Sequence, residues 1–171
     1  MRVAIVQCRS STAGATASCN DGAVRLRRYR DADHDAVWRL HVSALEHHLR
    51  GPWDDDLAAI PATYLESGGE FLVGVEDGRI VAMGALRPRD GACAEIKRMR
   101  VDPTMRRRGL GRHVLRRLEQ RAVELGYRTL VLDTTAEQRA AQALYRREGY
   151  AEAGRGRAGP FELILFEKQL R

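Results

Sequence analysis

Hydrophobic positions along this chain switch between two periods, and the switches mark its elements. Over residues 95–101 apolar and polar side chains alternate as in a strand. Asp102-Pro103 ends the run, because proline cannot donate to a ladder. Leu110, Val114, Leu115, Leu118, Ala122 and Leu125 then recur at helical spacing; charged residues fill the other face and Gly126 supplies a C-terminal stop. Upstream, residues 24–29 alternate as a first strand. Asp31 and Asp33 offer N-caps to a helix carrying Val37, Leu40, His41, Ala44, Leu45 and His48, which Gly51-Pro52 ends. Residues 54–65 predict a second short helix interrupted by Pro61. Residues 70–75 and 79–86 are strands joined by Asp77-Gly78, a strong hairpin signal, and residues 87–94 form a loop. After the long helix, residues 129–133 (TLVLD) read as a buried strand, parallel to the 95–101 strand because a helical crossover joins them. Thr134 or Thr135 caps a helix over 136–148 closed by Gly149. Two last strands, 150–153 and 161–168, flank a glycine-rich loop.

The predicted order is β-α-α-β-β-β-α-β-α-β-β, an α/β chain with a mixed sheet. At 171 residues it is one domain, assigned to residues 24–171, with no internal repeat. Residues 1–23 are rich in Ser, Thr, Ala and Gly and carry no acid before Asp21. They are expected to be a disordered leader or the product of a start codon placed too early.

Charge changes the picture. The net charge is +6 and nearly all of the positive charge is arginine, so anionic ligands are favoured. It is unevenly spread. Residues 97–117 hold nine Lys or Arg and one acid, Asp102; residues 51–78 hold seven acids and no base. The basic block suits a polyphosphate ligand. The acidic block either attracts a cationic amine or is a set of solvated loops and caps. No apolar run approaches the roughly 18 residues that cross a membrane. Cys8, Cys19 and Cys93 make no disulfide framework, no HExxH or CxxC pattern predicts a metal site, and His47-His48 point to different helix faces. Trp53 and Tyr64 either line a pocket or pack in the core.

The densest chemistry lies at residues 106–112, where Arg106, Arg107 and Arg108 lead through Gly109, Leu110 and Gly111 to Arg112 at a helix start. Free N–H groups and the positive end of the helix dipole favour an anion there, and glycines allow close approach. The P-loop pattern fails because no Lys-Ser or Lys-Thr follows. The dinucleotide pattern fails because the third glycine is missing. A pyrophosphate cradle is the simplest reading, and an arginine-rich surface turn is the bland one.

Arg106, Gly109 and Gly111 meet the pattern [RQ]xxGx[GA], and here the chain resembles the GNAT family of N-acetyltransferases. A second family landmark, NxxAxxLYxxxG[FY], is matched by Gln138, Ala141, Leu144, Tyr145, Gly149 and Tyr150, with glutamine standing where asparagine is usual. The order of elements from residue 24 onward is also that of the family. The resemblance implies acetyl-CoA as co-substrate, its pyrophosphate held by Arg106, Arg107, Arg108, Gly109, Leu110, Gly111 and Arg112. It implies that the backbone of Met99, Arg100 and Val101 polarises the acetyl carbonyl and holds the thioester. Gln138 would meet the pantetheine arm, and Tyr145 would give a proton to the departing thiolate, as a group with a reference pKa near 10 can at neutral pH.

Glu95 is the candidate general base, on the strand leading to the cofactor. Alternation puts Glu95, Lys97, Met99 and Val101 on one side. Glu95 paired with an arginine, or with Lys97, is the alternative. The function this implies is direct acetyl transfer in a ternary complex to a small-molecule or peptide amine, without metal, nucleic acid or membrane, in the cytoplasm. Cys93, in or beside a loop, has no partner for a covalent route. A homodimer through the last strands is common in proteins it resembles. The rival reading is a non-catalytic acyl-CoA-binding regulatory module of the same fold. A nucleic-acid binder is disfavoured because aromatics do not interleave with the arginines.

Overall fold

The computed structural model describes residues 23–45 and 52–170, with the side chains of residues 52 and 53 excepted. Residues 1–22 of the proposed leader, His47, His48, Gly51 and the Trp53 side chain therefore lie outside the described residues. Among the described residues, seven strands and three α-helices follow in the order β1 (Arg25–Arg28), α1 (His34–Ala44), β2 (Glu70–Glu76), β3 (Arg79–Pro88), β4 (Cys93–Val101), α2 (Leu110–Glu124), β5 (Thr129–Thr135), α3 (Arg139–Arg147), β6 (Ala151–Ala158) and β7 (Phe161–Gln169). They form one mixed sheet ordered β1-β2-β3-β4-β5-β7-β6. Every neighbouring pair is antiparallel except β4 and β5, which are parallel.

Alternation along β2 and β3 gives the sheet two apolar faces. Leu72, Ala82 and Leu86 join the α2 residues Val114, Leu115, Leu118 and Ala122 in one core. Phe71, Val73, Met83 and Ala85 join Val37 and Leu40 of α1, with Leu57, Ile60 and Tyr64, in the other. Helix α2 packs tightly on the sheet at Gly84. A Cβ there would sit 2.7 Å from both Met99 Sδ and Val114 Cγ1, so any side chain would force these to shift. Asp77 and Gly78 both take positive φ, 48° and 76°, as a two-residue hairpin turn requires.

Several boundaries differ from the sequence expectation. The predicted second helix is a 3-10 stretch over Pro52–Ala59 followed by a wider turn over Pro61–Leu65. Pro61 has no N–H to continue a regular ladder, and Asp54 and Asp56 are drawn to a buried arginine described below. Helix α1 stops at Ala44, with Leu45 already extended; His48, the last residue of the expected helical spacing, lies outside the described residues. Thr134 and Thr135 are strand residues of β5, and Gln138 caps α3 in their place. Residues 154–158 belong to β6 because β7 pairs with them, overriding the glycines; the loop shrinks to a turn at Gly159 and Pro160. β3 runs on to Pro88 and Cys93 opens β4, so the expected 87–94 loop shrinks to residues 89–92, with Cys93 beside it.

Candidate active site

Strands β4 and β5 begin as paired neighbours and then part. Cys93, Ala94 and Glu95 pair with Thr129, Leu130 and Val131; beyond Glu95 there is no further β4–β5 pairing, while β5 stays paired with β7 to Thr135. The opening is a cleft of about 320 Å³. Lys97, Arg98, Met99 and Arg100 line one side, Asp133, Thr134 and Thr135 the other, and Gln138, Ala141 and Tyr145 of α3 the end. Such a parting leaves unpaired backbone groups on β4 facing an enclosed space, where an extended ligand can take the place of a strand.

A bulge in β4 sets which side chains enter the cleft. Met83 pairs with Arg100 and Ala85 with Lys97, so Arg98 and Met99 together oppose Gly84, and Arg98 takes φ 55°. A bulge shifts the alternation by one residue. The expected single face therefore breaks. Ala94 and Ile96 pack on the α2 side, which puts Glu95 and Lys97 on the α1 side. Met99 and Val101, past the bulge, also pack on the α2 side. Arg98 and Arg100 occupy the α1 side in their place.

Positive φ at a non-glycine residue is strained, on the order of 1–3 kcal/mol, and Arg98 has partners that hold it there. Its Nη1 lies 2.5 Å from Asp54 Oδ1, its Nε donates to Asp56 at 3.0 Å, and its Nη2 also binds Asp56. The Tyr64 hydroxyl donates to Asp56 as well. His41 is fully buried, with Nε2 3.1 Å from Asp54 Oδ2 but off the angle of a hydrogen bond. Burial, with the charge of Arg100, pushes its pKa down and outweighs the pull of Asp54.

The acidic block is thus largely spent inside the protein. Asp54 and Asp56 hold Arg98, Glu70 holds Arg28 and Arg121, and Glu76 holds Arg108. It does not present the cation-attracting surface that its sequence allowed. Only Asp55, Glu66 and Asp77 of the seven are exposed.

Tyr145 is buried at 5% exposure against Tyr150 and Phe166, with ring centroids 5.8 Å and 5.9 Å away. Its hydroxyl makes no hydrogen bond with another described residue, so it is not a core phenol satisfied by a carbonyl. Burial pushes its pKa up to about 12, with Arg100 opposing and Asp133 adding to the rise. Gln138 lies one turn before Ala141 and two before Tyr145 on the same side of α3, as the helical period requires. Its Oε1 accepts from Thr134 Oγ1 at 2.8 Å and from Thr135 N at 3.4 Å, while its amide nitrogen has no partner among the described residues.

The 106–112 loop lies at the start of α2. Arg107 and Gly109 take φ 65° and 78°, and Gly109 caps the helix. The first helical bond there is His113 N to Gly109 O, so the amides of Leu110, Gly111 and Arg112 precede the ladder. Three of the four arginines are engaged elsewhere. Arg106 donates to the Ala44 carbonyl at 2.8 Å, Arg108 pairs with Glu76 at 2.9 Å and Arg112 with Glu148 at 2.6 Å. The loop offers an anion its backbone first. A Cβ on Gly111 would meet only ordinary contacts, Leu144 Cδ2 at 3.5 Å and Val101 Cγ2 at 3.8 Å.

Glu95 stands apart from the cleft lining. It is 7% exposed, with Arg87 at 2.7 Å, Lys97 at 3.3 Å and Arg89 at 3.5 Å. Burial alone would raise its pKa; Lys97 and Arg87 outweigh burial and hold it below the ordinary carboxylate range. Asp133, which the sequence did not single out, lines the cleft and lies 3.5 Å from Lys97 Nζ. Its place at the end of a strand that outruns its neighbour is the signal that could have found it. Among the described residues no group of three or more His, Cys, Asp or Glu is placed to hold a metal ion, and no helix is long and apolar enough to cross a membrane.

Comparison with known proteins agrees with this geometry. Residues 34–150 match the model of the acetyltransferase (GNAT) family. The chain is similar to an "IAA acetyltransferase" of Azospirillum brasilense, 42% identical over 103 residues that make up 58% of this chain and 67% of that protein. It is 36% identical over 101 residues to an "N-acetylaspartate synthetase" of Danio rerio, covering 58% of this chain and 36% of that one. It is 33% identical over 125 residues to "N-acetyltransferase family 8 member 3" of Mus musculus, covering 70% and 55%. The matched stretch spans little more than half or less of the latter two relatives.

Solved structures share the fold. A GNAT-family acetyltransferase of Staphylococcus aureus superposes with a TM-score of 0.79 at 22% identity, over 87% of this chain and all of that one. A Salmonella typhimurium protein solved "with its cofactor Acetyl-CoA" gives 0.71 at 23%, over 87% and 95%. With its parted β4 and β5, the glycine loop at the start of α2 and this family match, the chain belongs to the GNAT acetyltransferase family and is an acyltransferase.

Proposed function

We propose that this protein transfers the acetyl group of acetyl-CoA to a primary amine by direct attack in a ternary complex. The observation that carries this reading is the placement of Tyr145, buried at the end of the cleft where β4 and β5 part, with a hydroxyl that has no hydrogen-bond partner among the described residues. The backbone amides of residues 106–112 and the start of α2 receive the pyrophosphate. The freed edge of β4 at Met99, Arg100 and Val101 holds the pantetheine and polarises the acetyl carbonyl, and the Gln138 amide nitrogen is available to the pantetheine chain.

In the reaction the neutral amine's lone pair forms the C–N bond and the C–S bond breaks. The sulfur leaves with its electron pair and takes the Tyr145 proton, and the amine loses one proton to a carboxylate. Glu95, acting through one intervening water, is the carboxylate we assign to that role. Asp133, inside the cleft, favours a second reading in which it takes the proton directly. The acceptor is a small molecule or peptide, the protein acts in the cytoplasm, and a homodimer through β6 and β7 is compatible with the edge position of β6.

A panel of amines in a thiol-release assay with acetyl-CoA tests the reading. Release stimulated by one class of amine supports it. Acetyl-CoA binding without release from any amine favours the non-catalytic module.

A further inference from the structure

The acetyl-transfer reading uses the backbone of Arg100 and leaves its side chain unexplained. That side chain lines the cleft on the α1 side of the sheet, opposite Met83 and past the Arg98 bulge. Its Nη1 donates to the Met99 carbonyl at 2.8 Å, and its Nε is buried with no hydrogen-bond partner. No carboxylate pairs with it among the described residues. The two neighbouring cations of the cleft are both satisfied. Arg98 takes Asp54 and Asp56, and Lys97 takes Glu95 and Asp133. Burial, reinforced by the charge of Arg98, pushes the Arg100 pKa down to about 10 and outweighs the opposing pull of Tyr145, Asp54 and Asp56, so it is a cation at neutral pH that its surroundings only partly offset. A guanidinium in this state is completed by a planar anion with two oxygens, which its fork binds in parallel. The Tyr145 hydroxyl feels the charge of Arg100, so the two groups face one space, and an anion on Arg100 lies beside the thioester end of the cleft.

We propose that the amine acceptor carries a carboxylate within a few bonds of its amine, as an amino acid does, and that the Arg100 guanidinium binds that carboxylate. This inference rests on the acetyl-transfer reading and narrows its substrate class. It excludes polyamines, whose second charge would meet Arg100 with the wrong sign. The acidic block supplies no counter-argument, because Asp54 and Asp56 are committed to Arg98.

The test compares kcat/KM for free amino acids, their carboxamides and linear polyamines, with acetyl-CoA, in the native protein, Arg100→Gln and Arg100→Lys. The readout is the ratio of acid to carboxamide, which a general loss of folding or cofactor binding does not move. The native protein is expected to favour the acid by at least about 10-fold, the scale of one charge-assisted contact of 1.4 kcal/mol. Arg100→Gln abolishes the ratio, and Arg100→Lys keeps part of it. Equal use of acid and carboxamide, a preference for polyamines, or an Arg100→Gln loss equal for both forms would overturn the proposal. The last result would assign the guanidinium to the departing thiolate.

If no amine releases thiol, the acetyl-transfer reading fails separately. Calorimetry of N-acetylated amino acids and their carboxamides with CoA then reads the same ratio. Carboxylate-selective binding lost in Arg100→Gln upholds the inference, and its absence overturns it.

Discussion

Lys97 Nζ lies 3.5 Å from Asp133 Oδ1 and spans the gap in which β4 and β5 no longer pair. The same ammonium is 3.3 Å from Glu95 Oε1, so one cation joins the two carboxylates that compete for the role of base. Substitution separates them. Glu95→Gln is expected to lower kcat by on the order of 100-fold with acetyl-CoA affinity unchanged if Glu95 takes the proton. The same loss in Asp133→Asn, with Glu95→Gln near native, would move the role to Asp133. Steady-state rates with calorimetric acetyl-CoA affinities make the comparison.

The pH dependence has a definite sign. The folded state depresses the Glu95 pKa, so its carboxylate form is complete above the ordinary value of about 4.3 and persists somewhat below it. The stability that this ionisation contributes is likewise full above that value and is lost as pH falls through the folded one. Glu95 therefore imposes no loss of rate near neutrality. A fall in kcat/KM between about pH 9 and pH 6 belongs to protonation of the acceptor amine. The midpoint should follow the pKa of the amine when acceptors of different basicity are compared. A midpoint fixed across amines would contradict this.

At the start of α2, Gly111→Ala is expected to fold normally, because a Cβ there meets only ordinary contacts. Gly111→Glu is expected to bind acetyl-CoA at least about 10-fold more weakly, since it sets a negative charge beside the first-turn amides. Its melting temperature should stay within a few degrees of native. Unchanged acetyl-CoA affinity in Gly111→Glu would remove residues 106–112 from the cofactor site.

Arg98 and its two aspartates form a buried charge cluster, with side chains 6%, 7% and 11% exposed. Asp56→Asn removes the carboxylate that binds both Nε and Nη2 of Arg98 and also accepts from Tyr64. It is expected to cost about 3 kcal/mol, as breaking a buried ion pair from one side does. Denaturant unfolding reads this directly. A cost under about 1 kcal/mol would mean that the cluster is solvated in solution.

The sequence showed the elements wherever period and turn chemistry agreed. Leu110 to Leu125 wrote α2, and Asp77-Gly78 wrote the β2–β3 turn. It also brought Gln138, Ala141 and Tyr145 to one side of α3. It failed where a tertiary partner overrode local preference. Nothing in residues 95–101 announces the bulge at Arg98, which depends on Asp54 and Asp56 more than forty positions away. The strict alternation drawn through Glu95, Lys97, Met99 and Val101 therefore broke midway. The arginines of residues 106–112 looked like phosphate ligands by composition, yet Arg106, Arg108 and Arg112 found partners on α1, β2 and the end of α3. Arg100 was visible only as backbone, because which cation lacks a partner is a property of packing and not of spacing.

Tyr145 tests the central claim most directly. Its pKa, pushed up to about 12, keeps the proton on the phenol across the working range. Single-turnover thiol release with a saturating acceptor, in the native protein and in Tyr145→Phe, isolates the step it serves. The account predicts a rate about 100-fold lower in Tyr145→Phe, with acetyl-CoA affinity unchanged because only the hydroxyl is lost. Equal rates in the two proteins would contradict it and leave the buried hydroxyl at the end of the cleft without a role in the chemistry.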